Sequence, residues 1–426
     1  MGTVLTRRLP TCAARLTRKR LRTHAVLLGI IVWGAYAINL ATPGLRDREG
    51  QLKGADFLHF YVLGNIARMH DGGMLYDAPR QAALAKQLLR QDPGEAYLPV
   101  YGPQLSLVFM PLARLPYGLA VAAWMVSSTL AYAICCLLVL RVCPHLRKHR
   151  TTVLILATAF PGFFYMVASG QNSALPLIAF TMAFFCFRAQ RPLLAGMALG
   201  LLAYKPQLGV MAAAVFIFTL EWRVIAGALI VGGGQLAAGA LYFGESVLEA
   251  YFKGMVRISQ TAVAVEPFLS RMHSLRSFWG MLLPGTQIAF VLYTETALAV
   301  IGVTVYCWRS SAPLRLRYAI FLLGTALIDP HLTDYDLVVL MPALLLIGDF
   351  ILQSAESPER DAARLLAYAA YCLPFFGPLF KNMHLQLSVP VFAGLFLVLA
   401  LMIRRRTHGA PESMPVFSAA APAEGV

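Results

Sequence analysis

Charge is what this sequence has least of. Asp, Glu, Lys and Arg make up 13% of its 426 residues, about half the share of a soluble domain. Hydrophobic residues make up 58% and mean hydropathy is +0.64, which excludes an ordinary soluble globular protein. Ten-residue stretches of alternating apolar and polar character are also missing, which excludes a transmembrane β-barrel. The seven cysteines (Cys12, Cys135, Cys136, Cys143, Cys186, Cys307 and Cys372) show no metal-ligand spacing. None falls in either long polar gap, so no structural disulfide is expected. The basic, then apolar N-terminus lacks a small-residue cleavage site and reads as a retained first helix. No internal repeat is visible.

What is present is a succession of apolar runs, many long enough to cross about 30 Å of hydrocarbon. Backbone polar groups have no water partners in lipid, so such runs must be helices. Spans are expected at about 23–42, 117–140, 151–169, 172–187, 192–204, 206–220, 224–243, 286–308, 318–330, 334–350, 365–380 and 386–403. The expected fold is therefore all-α and polytopic, with about 12 transmembrane helices and both termini on one side.

The excess positive charge tests that topology. The net charge is +15, and one alternate set of gaps, termini included, holds 22 cations against seven acids. Everything else holds 14 of each. The whole excess lies on one face, which makes that face cytoplasmic. The basic balance thus reports orientation in a cell membrane, with membrane lipid as the surrounding partner and no nucleic acid expected. Residues 1–22 read as a basic cytoplasmic N-terminus, 23–403 as a transmembrane body, and 404–426 as a disordered cytoplasmic tail. Two external loops are long, at about 43–116 and 244–285. In the first, Asp56 to His70 reads as an amphipathic helix ended by Gly72-Gly73, and a second follows from about Pro79 to Arg90.

Four external turns carry the polar residues. They hold Asp56 with His59 and Tyr61; Gln171 with Asn172; Lys205 with Gln207; and His331, Asp334, Tyr335 and Asp336. Each has a structural reading beside a functional one. Asp56 suits a helix N-terminus as well as a general base. Lys205 suits snorkelling, yet Pro206 breaks the helix beside it, and such breaks face protein or a water-filled cavity. Gln171 and Asn172 suit a turn, His331 an interfacial position, and Asp334 or Asp336 a helix cap. In the second loop Arg257, Arg271 and Arg276 suit either interfacial anchoring or phosphate binding.

Several stretches occur together in an order that resembles glycosyltransferase family 87. They are Asp56-Phe57, Phe60-Tyr61 and Leu75-Tyr76-Asp77; Tyr101-Gly102-Pro103 with Pro111-Leu112 and Trp124; Gly170 to Leu175; Arg191 to Gly196 running to Lys205-Pro206-Gln207-Leu208-Gly209; and His331 to Asp336 with Pro342. They cover roughly residues 22 to 350. Where the family often has Tyr-Pro-Pro, this chain has Tyr101-Gly102-Pro103; the 244–285 loop and the residues after 355 match nothing.

The resemblance implies a fold of the GT-C type and polyprenyl-phosphate-mannose-dependent α-mannosyl transfer. It implies a lipid-phosphate-sugar donor at the outer leaflet and a glycolipid or glycan acceptor. Asp56 would be the general base of a single inverting displacement. Lys205 and His331 would hold the donor phosphate, with Arg257, Arg271 or Arg276 behind them and Gln171, Asn172 and Gln207 nearby. His59, Tyr61, Tyr101, Asp334, Tyr335 and Asp336 would shape the acceptor side. No nucleotide pocket and no cofactor are required; Asp334 and Asp336 leave a divalent metal open. Two other classes compete. A transporter or flippase would place polar residues near the midplane in repeated broken helices. A scaffold would need no essential external acid.

Overall fold

The computed structural model describes residues 13–94, 97–265 and 269–408. It is all-α; among the described residues the only β-type pairings are two isolated bridges, Arg46 with Leu52 and Met272 with Thr333. The helices that matter here are α1 (Arg18–Leu40), α2 (Ala55–Met69), α3 (Ala78–Leu89), α4 (Gln104–Phe109), α5 (Tyr117–Arg141), α6 (Arg150–Thr158), α7 (Pro161–Ser169) and α8 (Ala174–Arg188). Then come α9 (Pro192–Gly200), α10 (Val210–Phe218), α11 (Trp222–Phe243), α12 (Ser246–Val265), α13 (Leu275–Leu282) and α14 (Gln287–Arg309). The chain closes with α15 (Leu314–Ile328), α16 (Met341–Gln353), α17 (Pro358–Cys372) and α18 (Ser388–His408).

Among the described residues, six helices are long and apolar enough to cross a membrane: α1, α5, α11, α14, Asp336–Gln353 and Ser388–Arg406. The pair α6–α7, bent by 45° around Pro161, makes a seventh if it counts as one span. The other expected spans form helices too, but short ones: α8 and α15 have 15 residues each, α9 and α10 nine each. Fifteen residues give only about 22 Å of helix. The hydropathy of these segments reflects burial in protein as much as contact with lipid. In α15 every residue from Tyr318 to Ile328 is buried, as expected of a helix that is apolar all round. It forms the centre of the larger core, with Phe180, Phe184, Phe216 and Phe396 against it. α1, α11 and α14 keep most of their surface outside.

α2 and α3 match the two helices expected in the first long loop within a residue or two. They form a second core with α4 and α5, built on Phe57, Phe60, Phe109 and Trp124. The apolar run near 104–116 becomes α4 and a 3₁₀ turn at Leu112–Arg114, packed on α2. α18 runs on to His408, five residues into the stretch expected to be disordered; Arg404, Arg405 and Arg406 are good helix formers. Residues 409–426, the rest of that stretch, lie outside the described residues.

Small residues let α9 and α11 touch backbone to backbone. A Cβ on Gly196 would lie 1.9 Å from the Val224 carbonyl oxygen, and one on Gly227 would lie 2.1 Å from that of Leu193. Close approach through glycine is a common route to helix association in lipid. Gly196→Val is expected to destabilise the protein by about 3 kcal/mol, the upper part of the overpacking range, because only backbone can yield. Thermal unfolding in detergent checks this against Gly233→Ala, where a Cβ meets open space and no loss is expected.

Candidate active site

Two glycines bring the first site groups together. Gly54 takes a left-handed conformation (φ 66°) just before α2, and Gly170 does the same (φ 72°) just after α7. A Cβ on Gly170 would lie 2.8 Å from the Phe57 Cβ and 3.4 Å from the Gly54 Cα. The turn after α7 is thereby pressed onto the N-terminus of α2. Tyr117 donates from its hydroxyl to the Lys53 and Gly54 carbonyls at 3.0 and 2.9 Å, and the Trp124 indole N–H donates to the Gln171 carbonyl at 3.1 Å. The result is a fixed contact: Gln171 Nε2 donates to Asp56 Oδ2 at 3.0 Å. Asp56 sits in the first turn of α2, where the helix dipole favours its charge; Gly54 holds the cap position. Its side chain is half-buried and keeps access to solvent.

The next turn residue reaches a second carboxylate. Ser173 Oγ donates to Asp336 Oδ1 at 2.6 Å, and Thr333 Oγ1 to Asp336 Oδ2 at 3.2 Å. Lys205 Nζ donates to both oxygens, at 2.5 and 2.7 Å. Lys205 is 3% exposed and Asp336 fully buried. The sequence suggested Lys205 as a phosphate ligand, and the structure assigns it another partner. The helix break at Lys205-Pro206 aims the ammonium inward, where Asp336 neutralises it away from solvent. Its chain neighbour Gln207 is half-buried and makes no side-chain hydrogen bond among the described residues.

A third carboxylate orients a cation that does remain accessible. Arg271 Nε donates to Asp334 Oδ2 at 3.1 Å, and its side chain is 53% exposed. Burial works against the Arg271 charge, but Asp334 outweighs it, helped by the fields of Asp56 and Tyr335, and the pKa is raised. The other Asp334 oxygen is held by His273 Nε2 at 2.6 Å, and His273 Nδ1 meets Ser388 Oγ at 2.7 Å. Gln386 accepts from Ser388 at 3.3 Å and donates to the Ser270 and Met272 carbonyls. Backbone bonds from His273 to Leu332 and from Asp334 to Arg271 lock the two loops together.

Tyrosines pack among these groups. The Tyr101 pKa is raised by burial and then by Asp336 and Asp56. The Asn172 amide is near enough to the Tyr101 hydroxyl to oppose that shift, although neither amide atom makes a hydrogen bond of good geometry. The Tyr204 ring lies tilted beside Tyr101 at 6.4 Å, and its buried hydroxyl has no partner. The Tyr335 ring lies 5.6 Å from Lys205 Nζ. Among the described residues no three His, Cys, Asp or Glu side chains stand together as a metal site.

Other expected residues lie elsewhere. His59 is buried between the Tyr97 and Tyr101 rings, at 5.1 and 5.5 Å, with Nε2 unpaired. It packs on the side of α2 that receives α3. Tyr61 donates to the Leu115 carbonyl at 2.7 Å and packs on Tyr117, so it anchors α2. Arg257 is exposed on α12. His331 and Arg276 meet at the turn after α15: the His331 N–H donates to Asp329 Oδ1 at 2.7 Å, and Arg276 to the Pro330 carbonyl at 3.3 Å. Ser173, Tyr204, His273, Thr333, Gln386 and Ser388 were not expected. Ser173, Tyr204 and Thr333 stood directly beside visible signals, at Asn172, Lys205 and Asp334; His273, Gln386 and Ser388 did not.

His59 gives a pH test of this packing. Burial lowers its pKa from 6.5 to about 4. As pH falls through 6.5 the unfolded chain gains a proton that the folded protein refuses until about 4. Stability is therefore lost across that window, by about 3 kcal/mol for this group. His59→Phe removes the proton and the orphaned nitrogen together. Unfolding temperatures at pH 7 and pH 4.5 are expected to differ less in this variant than in wild type; an equal difference would count against a neutral buried imidazole.

The architecture and the site define the class first: a polytopic helical membrane protein with one cluster of held carboxylates and an accessible cation. The sequence profile of glycosyltransferase family 87 matches residues 100–330, and the chain belongs to that family. It is a membrane glycosyltransferase. The match takes in Gln171, Asn172, Lys205 and Arg271, and stops short of Asp56 and of Thr333 to Asp336. No curated protein and no solved structure matches the chain.

Proposed function

We propose that the protein transfers a sugar, with mannose as first candidate, from a polyprenyl-phosphate donor to a hydroxyl of a lipid or glycan acceptor. The reaction takes place at the outer face of the cell membrane. The observation that carries this reading is a solvent-accessible carboxylate, Asp56, oriented by Gln171, in the same site as an accessible guanidinium, Arg271, oriented by Asp334; Asp56 is near enough to help raise the Arg271 pKa. Asp56 takes the proton of the acceptor hydroxyl as its oxygen attacks the anomeric carbon. The bond from that carbon to the phosphate oxygen breaks, and polyprenyl phosphate leaves with the electron pair. The leaving phosphate needs positive charge rather than a proton, so the second carboxylate of a glycoside hydrolase has no counterpart here. Arg271, fixed by Asp334, supplies that charge; His331 and Arg276 stand on the adjoining loops. Tyr101, Asn172, Tyr204 and Tyr335 hold the sugar, and one displacement turns a β-linked donor into an α-linked product.

Arg271→Ala is expected to raise the donor KM and to cost about ten- to a hundredfold in kcat/KM, the value of one charge-assisted contact. Kinetics with donor varied at saturating acceptor check it, and an unchanged donor dependence would remove Arg271 from the donor site. The whole reading is tested by purified protein in lipid, given synthetic short-chain polyprenyl-phosphate-mannose and a membrane glycolipid extract. Mannose is expected in a new lipid or glycan product with wild type. Absence of donor binding would overturn the choice of donor.

A further inference from the structure

The end of the bundle away from the active site carries a cavity of about 930 Å³ between α1 and α6. Arg18, Lys19, Arg22, Lys148 and Arg150 line it, with His149 between the last two. All five cations are exposed, and among the described residues none pairs with a carboxylate. No acid is among its described lining residues. Arg18 meets the His149 ring at 3.0 Å, which ties the two walls together.

Two helix N-termini open into the same space. α1 starts at Arg18, and α6 starts at Arg150 after His149, which makes no side-chain cap. Thr17 caps α1 by accepting from the Arg20 N–H at 3.3 Å; the first-turn N–H groups of α6 lack such a side-chain cap, and both positive dipole ends add to the cations. Thr151 and Thr152 of the first turn of α6 also line the cavity. Thr17, Thr23, Val26 and Leu27 complete the wall, and the exposed Ile30 and Ile31 continue the apolar surface of Val26 and Leu27 along α1. An anion seated here therefore has lipid-facing helix directly beside it. α1 has 23 residues, about 34 Å of helix, between this cavity and the loop that leads to Asp56. The α6–α7 pair likewise runs from Arg150 here to Gly170 and Gln171 there.

We infer that this cavity is a binding site for the phosphodiester headgroup of an anionic membrane lipid, with the acyl chains lying along Val26, Leu27, Ile30 and Ile31. Basic pockets between transmembrane helices bind such headgroups by charge, and the adjoining apolar wall favours a lipid over a soluble phosphate. The site lies one bilayer away from the donor site and is separate from it.

The test uses full-length protein, delipidated in detergent and then offered phosphatidylglycerol or phosphatidylcholine, with bound lipid read by native mass spectrometry. Phosphatidylglycerol is expected to be retained and phosphatidylcholine lost. Arg18→Gln/Arg22→Gln/Lys148→Gln/Arg150→Gln should lower retention at least about tenfold. Arg141→Gln/Arg188→Gln/Arg191→Gln/Arg223→Gln removes as many exposed charges outside the cavity and should retain the lipid. Lys148→Gln/Arg150→Gln alone, at the loop end, provides a milder variant should the fourfold one fail to fold, with a smaller loss expected. Equal retention in the cavity variants and wild type would overturn the site. So would equal loss in the control, which would mean unspecific surface charge. Inorganic phosphate displacing the headgroup at low millimolar concentration would reassign the cavity to a soluble anion.

Discussion

Asp56→Asn is expected to lower sugar transfer by about 10²- to 10⁴-fold, the usual contribution of a positioned base, with the protein still folded. The amide is isosteric and still offers an oxygen to Gln171 Nε2, so the contact that holds the 170–173 turn against α2 survives. What is lost is the ability to accept a proton from the acceptor hydroxyl. Measured rates in the reconstituted assay, with donor binding measured separately, separate the two effects. Donor binding should stay close to wild type while product formation collapses. Full activity in the variant would remove Asp56 as base. Gln171→Ala should fall between, because Asp56 then loses its orienting donor and keeps its basicity.

Lys205→Met is expected to destabilise the fold by about 3–5 kcal/mol, the cost of stranding a buried charge. Asp336 would keep its Ser173 and Thr333 donors but lose the ammonium that neutralises it. The double variant Lys205→Met/Asp336→Leu is expected to recover much of the loss, since a buried pair replaced by apolar groups is often close to neutral. Thermal unfolding of the two single variants and the double variant gives the coupling directly. A Lys205→Met protein as stable as wild type, but with weakened donor affinity, would restore Lys205 to the phosphate site. The contrast with Arg271→Ala is sharp: one cation is buried against its carboxylate, and the other is held by Asp334 with half of its side chain exposed.

The helical class was legible because low charge and long apolar runs admit few alternatives. α2 and α3 were legible because Gly72-Gly73 and the capping Asp77 punctuate them. The number of full-length spans was less so: hydropathy reads α15 and a lipid-facing helix alike, although one is buried on every side. The four polar turns could be seen; their partners could not. Nothing local says that Lys205 meets Asp336 rather than a phosphate, because the two are 131 positions apart. Gln386 and Ser388 lie just before and at the start of the last helix, in a region with no motif, and only the fold brings them to His273 and its neighbours. Tyr61, five residues after Asp56, is turned about 140° from it on the helix; His59 is only about 60° away, but the Tyr97 and Tyr101 rings enclose it.

That 131-residue separation also constrains how the protein is made. Chains leave the ribosome N-terminus first, so the Lys205 ammonium is synthesised well before its carboxylate. Until then the broken segment between α9 and α10 carries an uncompensated cation, and it must wait where water can reach it. The arrival of α15 and the following turn brings Asp336 and allows the segment to settle inward. A chain truncated after Arg309 therefore lacks the partner that completes the break, and it should remain accessible there to water-borne amine reagents. The final shape of the membrane body is set by a late segment closing on an early one.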